Sequence, residues 1–150
     1  MATSAYIHFQ GQCAEALAFY AEVFGGTGLQ TMRYADGPGV PEAWTSSSRV
    51  MHGQVTLGDG TLMASDFPPG VEGEPQAAVS VAQTMSDPGA AGAAFDRLAD
   101  GGSIIERFGP TFFSPGFGMV RDRFGTAWII TTDPAPASGE EAAEPEAYPT

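Results

Sequence analysis

The chain repeats itself, and that repeat restricts its fold more than any other feature. Ala18-Phe19 is followed by five residues and then Gly25-Gly26; Ala94-Phe95 is followed by five residues and then Gly101-Gly102. Downstream, Gly53-x-Val55 precedes Gly60-Thr61 by four residues, and Gly118-x-Val120 precedes Gly125-Thr126 by the same four. Two matches in the same order, with the same element types, point to an internal duplication. The stretch between them is 11 residues longer in the first half, which places an insertion near Tyr34–Arg49. One unit alone would leave a sheet face exposed, so two units must pair to bury it.

The elements within each unit follow from periodicity. Cys13 to Phe24 carries Ala16, Leu17, Phe19, Tyr20, Val23 and Phe24 on one broad apolar stripe and stops at Gly25-Gly26, as a helix does. Pro88 to Ala99 has Asp87 as its N-cap, Pro88 at the first helical position and Gly101-Gly102 beyond its end. Strands are expected at Ala5–Phe9, Gly28–Tyr34, Val50–Leu57, Thr61–Ser65, Ala77–Gln83, Ser103–Phe108, Gly116–Arg121 and Thr126–Thr132. Gly58-Asp59-Gly60 and Arg123-Phe124-Gly125 supply hairpin turns. Each unit therefore reads strand, helix, three strands. The fold class is α+β, a single domain over residues 1–132, with module one at about 4–66 and module two at about 76–132.

Composition removes several functions. The chain of 150 residues carries a formal charge of −12, which repels phosphate backbones and argues against nucleic-acid binding. Its six basic residues are all arginine, so a lysine Schiff base or a Walker-type lysine is not available. No glycine-rich Gly-x-Gly-x-x-Gly turn joins a strand to a helix, so a dinucleotide or methyl-donor site of that type is not signalled. The apolar runs are too short to span a membrane, and the N-terminus has no signal-peptide pattern, so the expected location is cytoplasmic. The single cysteine, Cys13, excludes an internal disulfide and reads as a buried, inert thiol. Residues 133–150 hold Pro, Ala, Ser, Gly and acids, with Tyr148 as the one large apolar side chain, and are expected to form a disordered acidic tail.

One combination of motifs resembles a known group. It comprises Tyr6-Ile7-x-Phe9-x-Gly11-x-Cys13-x-Glu15-Ala16-x-x-Phe19-Tyr20 with Phe24-Gly25, then Leu62-Met63-x-Ser65-Asp66, Gly116-Phe117-Gly118, Asp122-x-Phe124-Gly125 and Trp128-x-Ile130. This combination is similar to the PhnB-like branch of the vicinal oxygen chelate superfamily, which includes glyoxalases, extradiol dioxygenases and bleomycin-resistance proteins. The resemblance implies paired βαβββ modules, a cupped mixed sheet around a small-molecule cavity, and usually a dimer. It also implies where metal-using relatives place their ligands. Counting along this chain, those positions fall at Ala5, Ala64 and Ile129, with Gln76 opening the fifth strand. Three of the four are aliphatic and have no lone pair, so no metal is expected at the usual site.

The candidate site residues are weighed individually. His8 lies three residues from Ala5 and is expected on the opposite face, as a structural or surface histidine. His52 reads either as a hydrogen-bonded strand histidine or as a general base at the cavity rim. Asp66, two residues beyond Ala64, is expected on the cavity side, where it would accept a ligand hydrogen bond or act as a base; the competing reading makes it a turn cap before Pro68-Pro69. Trp44, Phe112 and Phe113 come from loops and are expected to roof an apolar cavity or bury a dimer contact. The expected ligand-binding set is Ile7, Phe9, Trp44, Ala64, Asp66, Phe112, Phe113 and Ile129, with His52 and Asp66 as the candidates for catalysis.

These residues favour a protein that binds a small apolar or aromatic molecule without a metal or other cofactor, acting as a homodimer. Two other readings stay open: a metalloenzyme with ligands relocated to His8, His52, Asp66 and Gln76, and an assembly module with a vestigial cavity. Catalysis itself is left undecided by the sequence.

Overall fold

The computed structural model describes residues 1–134, so nearly all of the expected tail lies outside the described residues. The chain runs β1 (Ala5–Phe9), α1 (Cys13–Phe24), β2 (Thr27–Arg33), β3 (Val50–Leu57), β4 (Gly60–Asp66), β5 (Ser80–Met85), α2 (Pro88–Ala99), β6 (Ser103–Gly109), β7 (Phe117–Arg121) and β8 (Ala127–Thr132). The insertion between β2 and β3 holds two single-turn 3-10 segments, Tyr34–Asp36 and Glu42–Trp44.

The duplication is visible in the strand orders. Sheet A is β1-β4-β3-β2 and sheet B is β5-β8-β7-β6, the same order when the modules are overlaid element by element. In each, the strand before the helix pairs in parallel with the last strand of its module, and the remaining pairs are antiparallel. Both helices match their expected limits. Gly25 adopts φ +63° and donates its N–H to the Ala21 carbonyl, which ends α1. Asp87 accepts from the N–H groups of Gly89 and Ala90 at the start of α2. The fifth strand begins three residues later than expected, at Ser80, because Ala78 sits at φ +54° and interrupts the extended backbone.

The repeated glycines have a packing cause. A Cβ on Gly53 would lie 2.6 Å from Leu17 Cδ1 on α1, and a Cβ on Gly118 would lie 2.8 Å from Phe95 Cε2 on α2. In each module the helix therefore rests on the third strand at a position where a Cβ would force its neighbours to shift. Val55 and Val120, two residues on, point to the same side and are fully buried. The two helix-facing sides then merge into one core, in which the Trp128 ring lies 4.9 Å from Tyr20 and 5.1 Å from Phe24.

This core fixes which way each strand residue points, and it corrects part of the expected site. Ile7, Phe9, Ala64 and Asp66 are all buried on the side of sheet A that faces α1. Ile7 pairs with Ala64, Phe9 with Asp66, and Ala64 with Gly53, the residue on which Leu17 rests. None of the four reaches the open face. Partners across a ladder share a face, so Tyr6, His8, Met63, Ser65, Gln54 and His52 form the open side of sheet A. Ile129 does lie on the open side of sheet B, opposite the buried Trp128 and Ile130 and beside Met119.

Candidate functional site

Two buried carboxylates prove to be structural anchors. Asp66 accepts from Gly11 N at 2.7 Å, Cys13 N at 3.0 Å and Val50 N at 2.8 Å, so it ties the entry of α1 to the start of β3. The cap reading of Asp66 is thus the observed one, although the groups it caps lie before α1 and β3 and not in the Pro68-Pro69 turn. Asp122 accepts from Tyr20 Oη at 2.5 Å, Trp128 Nε1 at 2.9 Å, Phe124 N at 2.9 Å and Thr126 N at 3.0 Å. It joins α1 of the first module to the β7–β8 turn of the second. With their lone pairs engaged this way, neither acid is free to serve a ligand.

Cys13 is fully buried, and burial beside Asp66 pushes its thiol up to about 12. Burial and the adjacent Asp122 likewise push the Tyr20 phenol far above its ordinary range. Both groups hold their protons more tightly folded than unfolded. Their contribution to stability is complete below the unfolded values and is lost as pH rises through the folded ones. Two results are expected: Cys13 should resist thiol reagents at pH 8 until the chain is denatured, and urea stability should decline above about pH 9. Rapid labelling of the native protein would contradict the first, and a flat profile to pH 11 the second.

The open face of sheet A carries the most chemically equipped cluster. Tyr6 Oη lies 3.1 Å from His52 Nδ1, and His8 Nδ1 lies 3.1 Å from Ser65 Oγ. The rings run in a row: His52 to Tyr6 at 5.7 Å, Tyr6 to His8 at 5.2 Å, and His8 stacked on Phe67 at 5.3 Å. Each histidine uses Nδ1 within the row, which directs Nε2 away from that bond. Tyr6 remains 43% exposed, so among the described residues nothing covers the row. His8 lies on the face opposite Ala5 and Ile7, as expected, and is exposed; the same face carries Tyr6, and the Phe67 ring stacks on His8. The alternation Tyr6-Ile7-His8-Phe9 held the signal, because its purely apolar members share one face.

On sheet B, Phe113 packs edge-on against Phe117 at 5.1 Å and against Phe112 at 5.1 Å. Phe113, Phe117 and Met119 line an open cleft of about 340 Å³ with Glu106, Arg107 and Thr111. Trp44 meets Tyr34 edge-on at 5.2 Å, and Tyr34 donates to the Asp66 carbonyl at 2.9 Å, so the indole closes over an ordered loop. Gln76 precedes β5 and donates to Thr126 Oγ1 at 3.0 Å. The relocated metal set does not converge: Asp66 lies on the helix side of the sheet that presents His8 and His52 on its open side. Among the described residues no three His, Cys, Asp or Glu side chains are grouped as a metal would require.

The relatives agree with this architecture. Residues 2–131 match the family model described as 3-demethylubiquinone-9 3-methyltransferase, and the chain belongs to that family. The crystal structure of protein PA1353 from Pseudomonas aeruginosa superposes with a TM-score of 0.79 at 34% identity, covering 89% of this chain and 98% of that one. A Bacillus cereus PhnB protein, described as a putative 3-demethylubiquinone-9 3-methyltransferase, gives 0.68 at 24% identity over 88% and 99%. Protein YjdN of Escherichia coli is 26% identical over 87% of this chain and 94% of its own length. Solved glyoxalase-related and bleomycin-resistance/dioxygenase domains share the fold.

Proposed function

We propose that this protein binds a small, flat, apolar or aromatic molecule on the open face of sheet A, without a resident metal. The observation that carries the reading is the uncovered row His52–Tyr6–His8–Phe67, four rings at stacking distances with polar atoms at their edges. Such a surface offers a flat ligand π-faces and directed hydrogen bonds together, the composition typical of small-molecule sites. The methyl-transfer chemistry in the family's description finds little support in these residues. Each sheet is a four-stranded mixed sheet, not a doubly wound parallel one, and no glycine-rich strand-to-helix turn is present among the described residues.

A thermal-shift screen against aromatic metabolites, with and without Mn, Ni, Fe or Zn, tests the reading. Stabilisation by an aromatic compound is expected to survive a chelator, and affinity should fall roughly tenfold or more in Tyr6→Ala or His52→Ala. Both side chains sit on the open face, so the fold should tolerate their loss. Stabilisation that appears only with added metal would favour a metalloenzyme; no response to any compound would favour an assembly module.

We also infer a two-fold homodimer. The open faces and the exposed Met32, Ile104, Ile105, Phe112 and Phe113 present apolar surface that a second copy would cover. Light scattering at micromolar concentration should return twice the 15.5 kDa chain mass. A clean monomer mass would refute the dimer.

A further inference from the structure

Arginine use in this acidic chain singles out one position. Arg33 pairs with Asp36, Arg97 with Glu22, and Arg123 with Glu15 and the Phe19 and Phe124 rings. Arg49 spends its guanidinium on the carbonyls of Phe67, Pro68, Val71 and Gln10. Arg107 lies exposed on β6. Arg121 differs. It is half-buried at the end of β7, where Nη1 donates to the Gly125 carbonyl at 2.6 Å, and among the described residues no carboxylate pairs with it. That single bond leaves most of a five-donor fork unassigned.

The surroundings of Arg121 form a cleft of about 460 Å³ at the seam between the modules. His8, Gln10, Gln12 and Gln76 line it with Arg121, and the one carboxylate in its wall is that of the exposed Glu74. Gln76 Nε2 donates to Thr126 Oγ1 at 3.0 Å and to the His8 carbonyl at 3.4 Å, fixing that amide beside the seam. A half-buried guanidinium with which no carboxylate pairs among the described residues, on a chain of charge −12, is a cationic position on a negative surface. Guanidinium geometry matches a planar carboxylate through two parallel N–H donors. His8 belongs both to this cleft and to the ring row of sheet A, so the two surfaces are continuous.

We propose that the seam cleft is the anion subsite of the site described above, and that the ligand class is an aromatic or apolar carboxylate. Arg121 holds the carboxylate while the ring lies along His8 and Tyr6. This inference rests on the reading of sheet A as a binding face, and its failure is separable from the failure of that reading.

Benzoate and benzyl alcohol serve as probes, titrated against the full chain and the variants Arg121→Met and Arg107→Met, with affinity read by NMR. Benzoate should bind the wild type more tightly than benzyl alcohol, lose tenfold or more of its affinity in Arg121→Met, and keep it in Arg107→Met. It should also shift the Arg121 Nε–H resonance of the wild type, a readout that does not depend on the variant folding. Glu74→Gln should strengthen benzoate binding. If benzyl alcohol binds the ring row but benzoate binds no better and leaves Arg121 unshifted, the anion subsite is overturned while the aromatic site stands. If benzoate shifts Arg121 but Tyr6→Ala changes nothing, the subsite stands and the ring row is not its companion. If neither probe binds, both are overturned.

Discussion

Replacing Asp122 with alanine is expected to destabilise the protein by about 3–5 kcal/mol, enough to remove much of the roughly 5–15 kcal/mol that holds a domain folded. Four donors converge on this one buried carboxylate: the Tyr20 hydroxyl, the Trp128 indole N–H and the backbone N–H groups of Phe124 and Thr126. Truncation leaves the buried Trp128 indole and Thr126 N–H groups without their acceptor, at about 1–3 kcal/mol for each buried unsatisfied group, and takes from the Tyr20 hydroxyl one of its two partners, the other being Thr126 Oγ1 at 3.0 Å. Tyr20 comes from the first module and the other three from the second, so one of the four lost bonds crosses between the modules and three lie within the β7–β8 turn. Urea unfolding measures it, and a double-mutant cycle assigns it. In the Tyr20→Phe background the cost of Asp122→Ala should shrink, because one donor is already gone. A loss below about 1 kcal/mol would show that the network is not a principal tie between the modules.

The second large effect concerns the repeated glycines. Gly118→Ala should destabilise by about 3 kcal/mol, the upper part of the range for overpacking a core, and Gly53→Ala by less. The added methyl at residue 118 would lie 2.9 Å from Phe108 Cα and 3.0 Å from Phe108 N as well as close to the Phe95 ring. Backbone cannot move aside without disturbing the β6–β7 pairing. At residue 53 the closest atom is the end of the Leu17 side chain, at 2.6 Å, which can rotate away. Equal costs at the two positions would contradict this explanation of why the motif carries glycine.

These glycines also show why so much of the fold could be read from the sequence. The Gly-x-Val spacing records where a helix rests on a strand, and a duplication keeps that contact twice. Helix limits were legible for similar reasons: Asp87-Pro88 and Gly25-Gly26 act through local backbone chemistry. The face of each strand residue was less legible. Counting back from Phe19 through Gln10, Gly11 and Gln12 assumes a loop length, and one residue of difference inverts every side chain of β1. The bend in that loop is made by Gly11 at φ +111°, a conformation whose exact place in the count the sequence does not display. Asp66 misled for a different reason. Its partners, Gly11, Cys13 and Val50, are 55, 53 and 16 residues away, so no local pattern reveals them. The ring row was invisible in the same way: His52 on β3 meets Tyr6 on β1 across the intervening β4.

The position of a bound aromatic ligand decides whether the ring row is the binding surface. Intermolecular NOEs between an aromatic hit and the side chains of the protein locate it directly. The expected contacts are to the Met63 methyl and to the rings of Tyr6, His8 and His52, which share the open face of sheet A. Contacts confined to Phe113, Phe117 and Met119 would move the site to sheet B, and contacts to Ile7, Leu17 or Ala64 would place it on the helix side. Either result would contradict the assignment of the ring row as the binding surface.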